Sequence, residues 1–234
     1  RNTVIYWIWG RRKLLFVFCV CLLSACQSND NVSKVNEQQS VSVPNETISS
    51  DGKILIAYFT WADNTHVDDP SSVDVDASTS ASVLAPGNTE KVAHFIQEQV
   101  GGDMFSIIVD EPYSSDYDEC LDRASDELAQ QTRPTIVDTV ENMDEYDVIF
   151  LGYPNWWSSC PMTIFSFIES YDLSNKTIIP FCAHGTGGLG RSIEDLQDAL
   201  PHSTLLDAFG VYRPDTDSCQ DDVNQWLSDI GMVD

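Results

Sequence analysis

Apolar residues fall into short unbroken runs, and the stretches between them carry apolar residues three and four positions apart. Val148-Ile149-Phe150-Leu151 is the clearest run. Four consecutive apolar positions leave no polar face, as in a strand buried on both sides of a parallel sheet. Runs of this kind predict strands over 53–60, 104–109, 147–152, 177–183 and 205–212. Between them the period changes. Over 89–100, Val92, Phe95, Ile96 and Val100 share one helical face. Helices are also predicted over 116–131, closed by Pro134, and over 161–171, with Pro161 in its first turn. Two more span 192–200, stopped by Pro201, and 221–230, ended by Gly231. Strands and helices alternate five times. That pattern predicts an α/β fold: a doubly wound sheet of five parallel strands, helices on both faces and right-handed crossovers.

The connection over 61–86 breaks the economy of such a fold, in which loops from strand to helix are short. It carries Asp63, Asp68, Asp69, Asp74 and Asp76, then a run of small residues. Leaving the carboxyl end of the first strand, it is placed to fold over a ligand there. His66 among these carboxylates matches no calcium-loop spacing, so the segment reads as a solvated acidic insertion and no metal site is assigned.

The first 51 residues have a different character. Arg11-Arg12-Lys13 precedes an apolar run over 14–23 that is too short to span a bilayer. A basic start, an apolar middle and small residues before a cut are the layout of an export signal. Leu23-Ser24-Ala25-Cys26 resembles the lipobox of bacterial lipoproteins, which implies cleavage before Cys26 and lipid attachment to it. Arg11-Arg12 also resembles a twin-arginine pair, although Gly10 before it and Leu14-Leu15 after Lys13 do not fit that motif. The expected organisation is a signal peptide over 1–25, a flexible Ser/Asn/Gln-rich tether over 26–51 and one folded domain over 52–234. The expected location is the outer face of the bacterial cytoplasmic membrane, held by lipidated Cys26.

Charge narrows the partners. The chain holds 12 Lys plus Arg against 37 Asp plus Glu. Four of the bases lie in the signal, so the remainder carries 8 against 37, a net charge of −29. Such a surface disfavours nucleic acid and anionic lipid head groups and suits a basic protein partner; it also serves plain solubility or adaptation to salt. Cys120, Cys160, Cys182 and Cys219 remain in the domain, where complete pairing has three possible connectivities. Cys182 sits inside an apolar strand and reads as a buried free thiol. No Cys/His cluster has zinc spacing.

Candidate chemistry gathers at strand carboxyl ends, where open α/β sheets bind ligands. Thr60 ends the first strand, and Gly87-Asn88-Thr89 opens the helix after the insertion. A helix start offers free N–H groups to an anion such as phosphate, though Asn and Thr there also serve as ordinary caps. After the third strand come Pro154-Asn155-Trp156-Trp157. One indole is expected to pack in the core and the other to face a flat ligand. After the fourth come His184-Gly185-Thr186-Gly187-Gly188, whose glycines let a backbone approach a ligand closely. Gly185, Gly187 and Gly190 match a dinucleotide fingerprint, but that fingerprint belongs after a first strand. A serine hydrolase is excluded by the lack of a nucleophile elbow. A receiver domain is excluded because Phe59-Thr60 and Gly152-Tyr153 stand where its carboxylates belong.

Together, Gly152-Tyr153-Pro154-Asn155-Trp156-Trp157 and His184 to Gly188 resemble the flavodoxin-like family, in particular its exported bacterial lipoprotein branch. The resemblance covers about residues 53–232 and implies strand order 2-1-3-4-5 and bound FMN. By position it implies that Thr60, Gly87, Asn88 and Thr89 hold the phosphate. It implies further that Asn155, Trp156 and Trp157 flank one side of the isoalloxazine, with His184 to Gly188 at its other edge. The family's phosphate loop is continuous, whereas here the insertion interrupts it, and Trp61 becomes a candidate for the ring environment. No catalytic residue is assigned.

Three functions fit. One is an FMN redox protein passing electrons to a protein partner or small acceptor, with the acidic surroundings lowering the flavin potential. A second is an NAD(P)H-dependent quinone or flavin reductase, an FMN-dependent oxidoreductase whose substrate the insertion would cover. A third is a non-redox binding module that has lost the flavin.

Overall fold

The apolar runs pair in parallel. In the computed structural model, which describes residues 52–80 and 82–234, β1 (Lys53–Tyr58), β2 (Asp103–Ser106), β3 (Tyr146–Pro154), β4 (Thr177–His184) and β5 (Thr204–Leu205) form one sheet in the order β2-β1-β3-β4-β5. A sixth strand, β6 (Phe209–Tyr212), also pairs with β4. This is the doubly wound order expected. The signal over 1–25, the tether over 26–51 and the lipidation at Cys26 lie outside the described residues.

Burial follows strand alternation. Ile149, Leu151 and Tyr153 of β3 face one core, and Val148 and Phe150 face the other. Helices α2 (Asn88–Val100) and α6 (Gln220–Asp229) cover the second face. Helices α3 (Tyr117–Gln130), α4 (Met162–Glu169) and α5 (Ser192–Ala199) cover the first. Every residue of α4 from Met162 to Ile168 is buried, which explains why MTIFSFI is apolar around nearly the whole helix.

Two strand expectations need correction. The run over 205–212 is not one strand: it breaks between β5 and β6, where the Asp207 carbonyl accepts the Trp226 indole N–H at 2.9 Å from α6. The run over 104–109 stops at Ser106 because Asn64 Oδ1 takes the Val109 N–H at 2.8 Å and Val109 bridges to Ile136. The insertion is not a plain loop either. It contains single helical turns at Ala62–Asn64 and Pro70–Ser72 and a short helix, α1 (Val75–Ser80).

Candidate functional site

The carboxyl ends of β1, β3 and β4 lie side by side, and the chain brings the interrupted loop back together there. A Cβ on Gly87 would fall 1.7 Å from Thr60 Oγ1, so only glycine permits this approach. Thr60 and Thr89 are both buried. Gly87, rather than Asn88 or Thr89, occupies the N-cap of α2, and its N–H is taken by the Glu90 carboxylate at 3.0 Å. The Asn88 N–H goes to Ser82 Oγ at 3.0 Å, so the end of the insertion supplies a hydroxyl at the helix start. Asn88 Oδ1 lies 3.1 Å from the hydroxyl of Thr216, beyond β6.

The start of the insertion leaves the site sideways. Trp61 is 1 % exposed and gives its indole N–H to the Ser114 carbonyl at 3.1 Å. So enclosed, it presents almost no surface to solvent. Asn64 then pins the segment: its Nδ2 donates to the Thr60 and Ile107 carbonyls at 2.8 and 3.0 Å. Thr65 Oγ1 donates to the Tyr113 carbonyl at 2.8 Å.

The loop after β3 sorts the two indoles by backbone geometry. Trp156 and Ser159 exchange two N–H to carbonyl bonds of 3.0 Å, which closes a two-residue turn at Trp157-Ser158. Both turn residues have positive φ, +52° and +66°. That is the primed hairpin geometry usually given to Asn-Gly, so a tryptophan there is strained. Trp156 points inward, edge-on to Phe59 at 5.4 Å and to Tyr113 at 5.1 Å. Trp157 is 50 % exposed and leans on α3, its indole N–H bonded to the Leu121 carbonyl at 3.1 Å.

A buried network stands behind Trp156. The Tyr113 hydroxyl donates to Glu127 at 2.7 Å, Arg123 Nε donates to the same carboxylate at 2.8 Å, and the guanidinium lies 4.0 Å over the Tyr113 ring. Burial holds the Tyr113 phenol well above its ordinary range, and the Glu127 charge adds to this. Tyr153, directed the same way by burial, donates to Ser192 at 2.9 Å.

The loops after β3 and β4 are joined to each other. The Asn155 amide donates to the Gly188 carbonyl, and the Arg191 N–H donates to the Ser158 carbonyl at 2.7 Å. Gly190 sits at φ +55°, where a Cβ would fall 2.3 Å from the Ser158 carbonyl oxygen. Ser159 and Arg191 both donate to Asp195 in the first turn of α5. Thr186 and Gly187 are exposed, His184 and Gly185 half-buried, and a Cβ on Gly188 would meet nothing within 4 Å. This loop therefore presents an open glycine backbone at the mouth of the site.

Among the described residues, the thiols of Cys120, Cys160, Cys182 and Cys219 are free and buried. Burial pushes Cys120 up to about 12 and Cys219 up to about 11, with Cys160 and Cys182 also raised. None has the depressed pKa of a reactive thiolate. Among the described residues, no group of three or more His, Cys, Asp or Glu side chains is arranged to hold a metal ion, and no helix is long and apolar enough to cross a membrane.

Sequence reasoning missed Asn64, Ser82 and Glu90, whose partners depend on the path of the insertion. It also missed the segment after β6. Gly185 carries the Arg213 guanidinium against its backbone: a Cβ there would lie 3.2 Å from the nearer terminal nitrogen. The signal available was the strand-end rule already applied to β1, β3 and β4.

Solved structures share this architecture. A candidate flavoprotein from Bacteroides eggerthii is 29 % identical, with a TM-score of 0.58 over 77 % of this chain and 98 % of that one. A candidate flavoprotein from Bacteroides uniformis is 27 % identical, with a TM-score of 0.57 over 76 % of this chain and 98 % of that one. A flavoprotein from Lactobacillus acidophilus, solved in complex with FMN, is 18 % identical, with a TM-score of 0.50 over 68 % of this chain and 92 % of that one, a likeness of fold. No curated protein matches the chain. The family model described as flavodoxin matches residues 78–230, from the end of the insertion to the last helix, and the chain belongs to the flavodoxin family.

Proposed function

We propose that the folded domain binds FMN and works as an electron-transfer protein, tethered outside the cytoplasmic membrane through Cys26. The observation that supports the reading is the contact of Gly87 with Thr60, which brings the two halves of the interrupted loop together across the insertion. Thr60, Gly87, Asn88 and Thr89 would hold the phosphate at the start of a 13-residue helix, where the helix dipole favours an anion. Asn155 fixes the spacing of the two loops that would flank the ring. Trp156, held edge-on by Phe59 and Tyr113, and the open backbone of Gly185 to Gly188 would line it. When bound, the flavin supplies the electron chemistry; the chain supplies placement, desolvation and charge.

Transfer to a protein partner is favoured over turnover of a small substrate. The first part of the insertion is pinned to the β2 side by Asn64 and Thr65, so it does not provide the cover that the reductase reading draws on. The acidic surface suits docking to a basic partner. The test is to titrate the soluble domain with FMN, follow the visible absorption, and then add NADH or NADPH with a quinone. Saturable binding without rapid turnover is expected. A colourless protein that stays apo would support the non-redox module, and fast turnover would support the reductase.

Glu90 makes a sharper prediction. Its carboxylate shares the helix start with the phosphate, and Glu90→Gln keeps the bond to the Gly87 N–H while removing the charge. FMN affinity is expected to rise about fivefold, the size of a roughly 1 kcal/mol helix-terminus interaction. Weaker binding would place the phosphate elsewhere.

Anchoring rests on the residues around the cut site. Labelled fatty acid should be incorporated into the full chain and not into Cys26→Ser. Equal labelling of the two, or no labelling of the wild type, would end this part of the proposal.

A further inference from the structure

Helix α4 lies low between α3 and α5. Its residues from Met162 to Ile168 are all buried, yet Met162 and Phe165 line an open furrow of about 540 Å³. Leu128 of α3 and Ala199 of α5 line it from either side. Trp157, from the turn before α4, and Glu169, the last residue of α4, line it too, so the furrow runs the length of the helix. Glu169 also lines two adjoining hollows of about 400 and 210 Å³.

Two features say what fits there. The Trp157 indole is displayed at a cost, since φ +52° is a conformation that tryptophan rarely adopts. Its N–H is tied to the Leu121 carbonyl, so the exposed half of the ring is held in place. A fixed, exposed indole beside an apolar hollow has the make-up of an interface hot spot. The second feature is charge. Helix α3 exposes Asp118, Glu119, Asp122 and Asp126, and α5 exposes Glu194 and Asp198. The one base of α3, Arg123, turns inward to Glu127, and α5 has no base. Arg133 and Arg191 reach the furrow but are engaged with Glu169 and Asp195, each at 2.6 Å.

Acidic helices on both sides repel a second copy of this chain and attract cations. We infer that the furrow over α4 docks a partner protein through a basic amphipathic helix, its apolar side chains on the α4 floor and against Trp157 and its Lys or Arg along α3 and α5. The docking itself does not depend on the FMN reading. Its consequence does: Trp157 follows Trp156 directly, so a docked partner stands beside the indole that this reading places along the ring.

The probe is a synthetic helix of Leu and Lys with one apolar face. Two controls keep its pattern, one with Glu for Lys and one with Ser for Leu. Binding to the protein is titrated and mapped by amide chemical shifts, with and without FMN. The Leu/Lys helix should bind saturably and move the amides of Leu128, Phe165 and Ala199. The Leu/Glu helix should not bind, and the Ser/Lys peptide should bind at least about tenfold more weakly. Ala199→Arg, which fills the furrow, and Trp157→Gly, which removes the indole at a φ that glycine accepts, should each weaken binding at least about tenfold, the loss expected of one hot-spot side chain. If one variant fails to fold by circular dichroism, the other decides. Asp221→Asn makes the same charge change as Ala199→Arg but on α6, across the sheet, and should stay within about twofold of wild type. Shifts spread over other helices, equal binding of the Ser/Lys or Leu/Glu control, or an equal loss for Asp221→Asn overturns the inference. So do dimers in sedimentation that Ala199→Arg dissolves, which would give the furrow to a second copy. A protein that passes these tests but takes up no FMN overturns the FMN reading alone.

Discussion

Replacing Asn64 by leucine is expected to lower the unfolding free energy by at least about 3 kcal/mol, because three buried main-chain groups lose their partner at roughly 1–3 kcal/mol each. Asn64 is 1 % exposed, and its amide serves the Thr60 and Ile107 carbonyls and the Val109 N–H at once. Leucine is close in volume but cannot supply one of these bonds. The loss should be local as well as global. The Val109 amide should exchange with solvent faster relative to the β3 amides, since its acceptor is gone while the centre of the sheet is untouched. Chemical denaturation with hydrogen exchange checks both parts. A cost below about 1 kcal/mol, within the range of one ordinary hydrogen bond, would mean that the insertion is held by other contacts.

Gly190→Ala should cost about 2–4 kcal/mol, from about 1–2 kcal/mol of left-handed backbone strain plus the displacement forced by overpacking. The control is built into the same loop. Gly188 has φ +58° and Gly190 has φ +55°, but a Cβ on Gly188 meets nothing, whereas one on Gly190 would lie 2.3 Å from the Ser158 carbonyl oxygen. Gly188→Ala should therefore incur the backbone cost alone. The difference between the variants measures the contact that holds the loops after β3 and β4 together. Equal destabilisation would remove the contact from the account.

The frame of the fold was legible because its signals are local. Ile149, Phe150 and Leu151 announce a doubly buried strand without reference to anything distant, and the glycines from Gly185 to Gly188 mark a loop by composition alone. The family was legible in the residues after β3 and β4 for the same reason. What escaped depends on partners far along the chain. The break at Asp207 is set by Trp226, and the end of β2 by Asn64. The two indoles could not be told apart in sequence, because the positive φ at Trp157 and Ser158 decides which of them faces Phe59. Arg213 carries no motif, and its position emerges only when β6 is laid beside β4.

Because Thr60 and Gly87 touch, everything between them is a detour that departs from and returns to one point. A chain leaving and re-entering at a single point can lengthen or shorten without moving the sheet, and doubling such a detour costs only about 0.6 kcal/mol in closure entropy. That corner is a natural place for this architecture to acquire new sequence, and here Trp61, Asn64, Ala77 and Val83 of the detour have become part of the core.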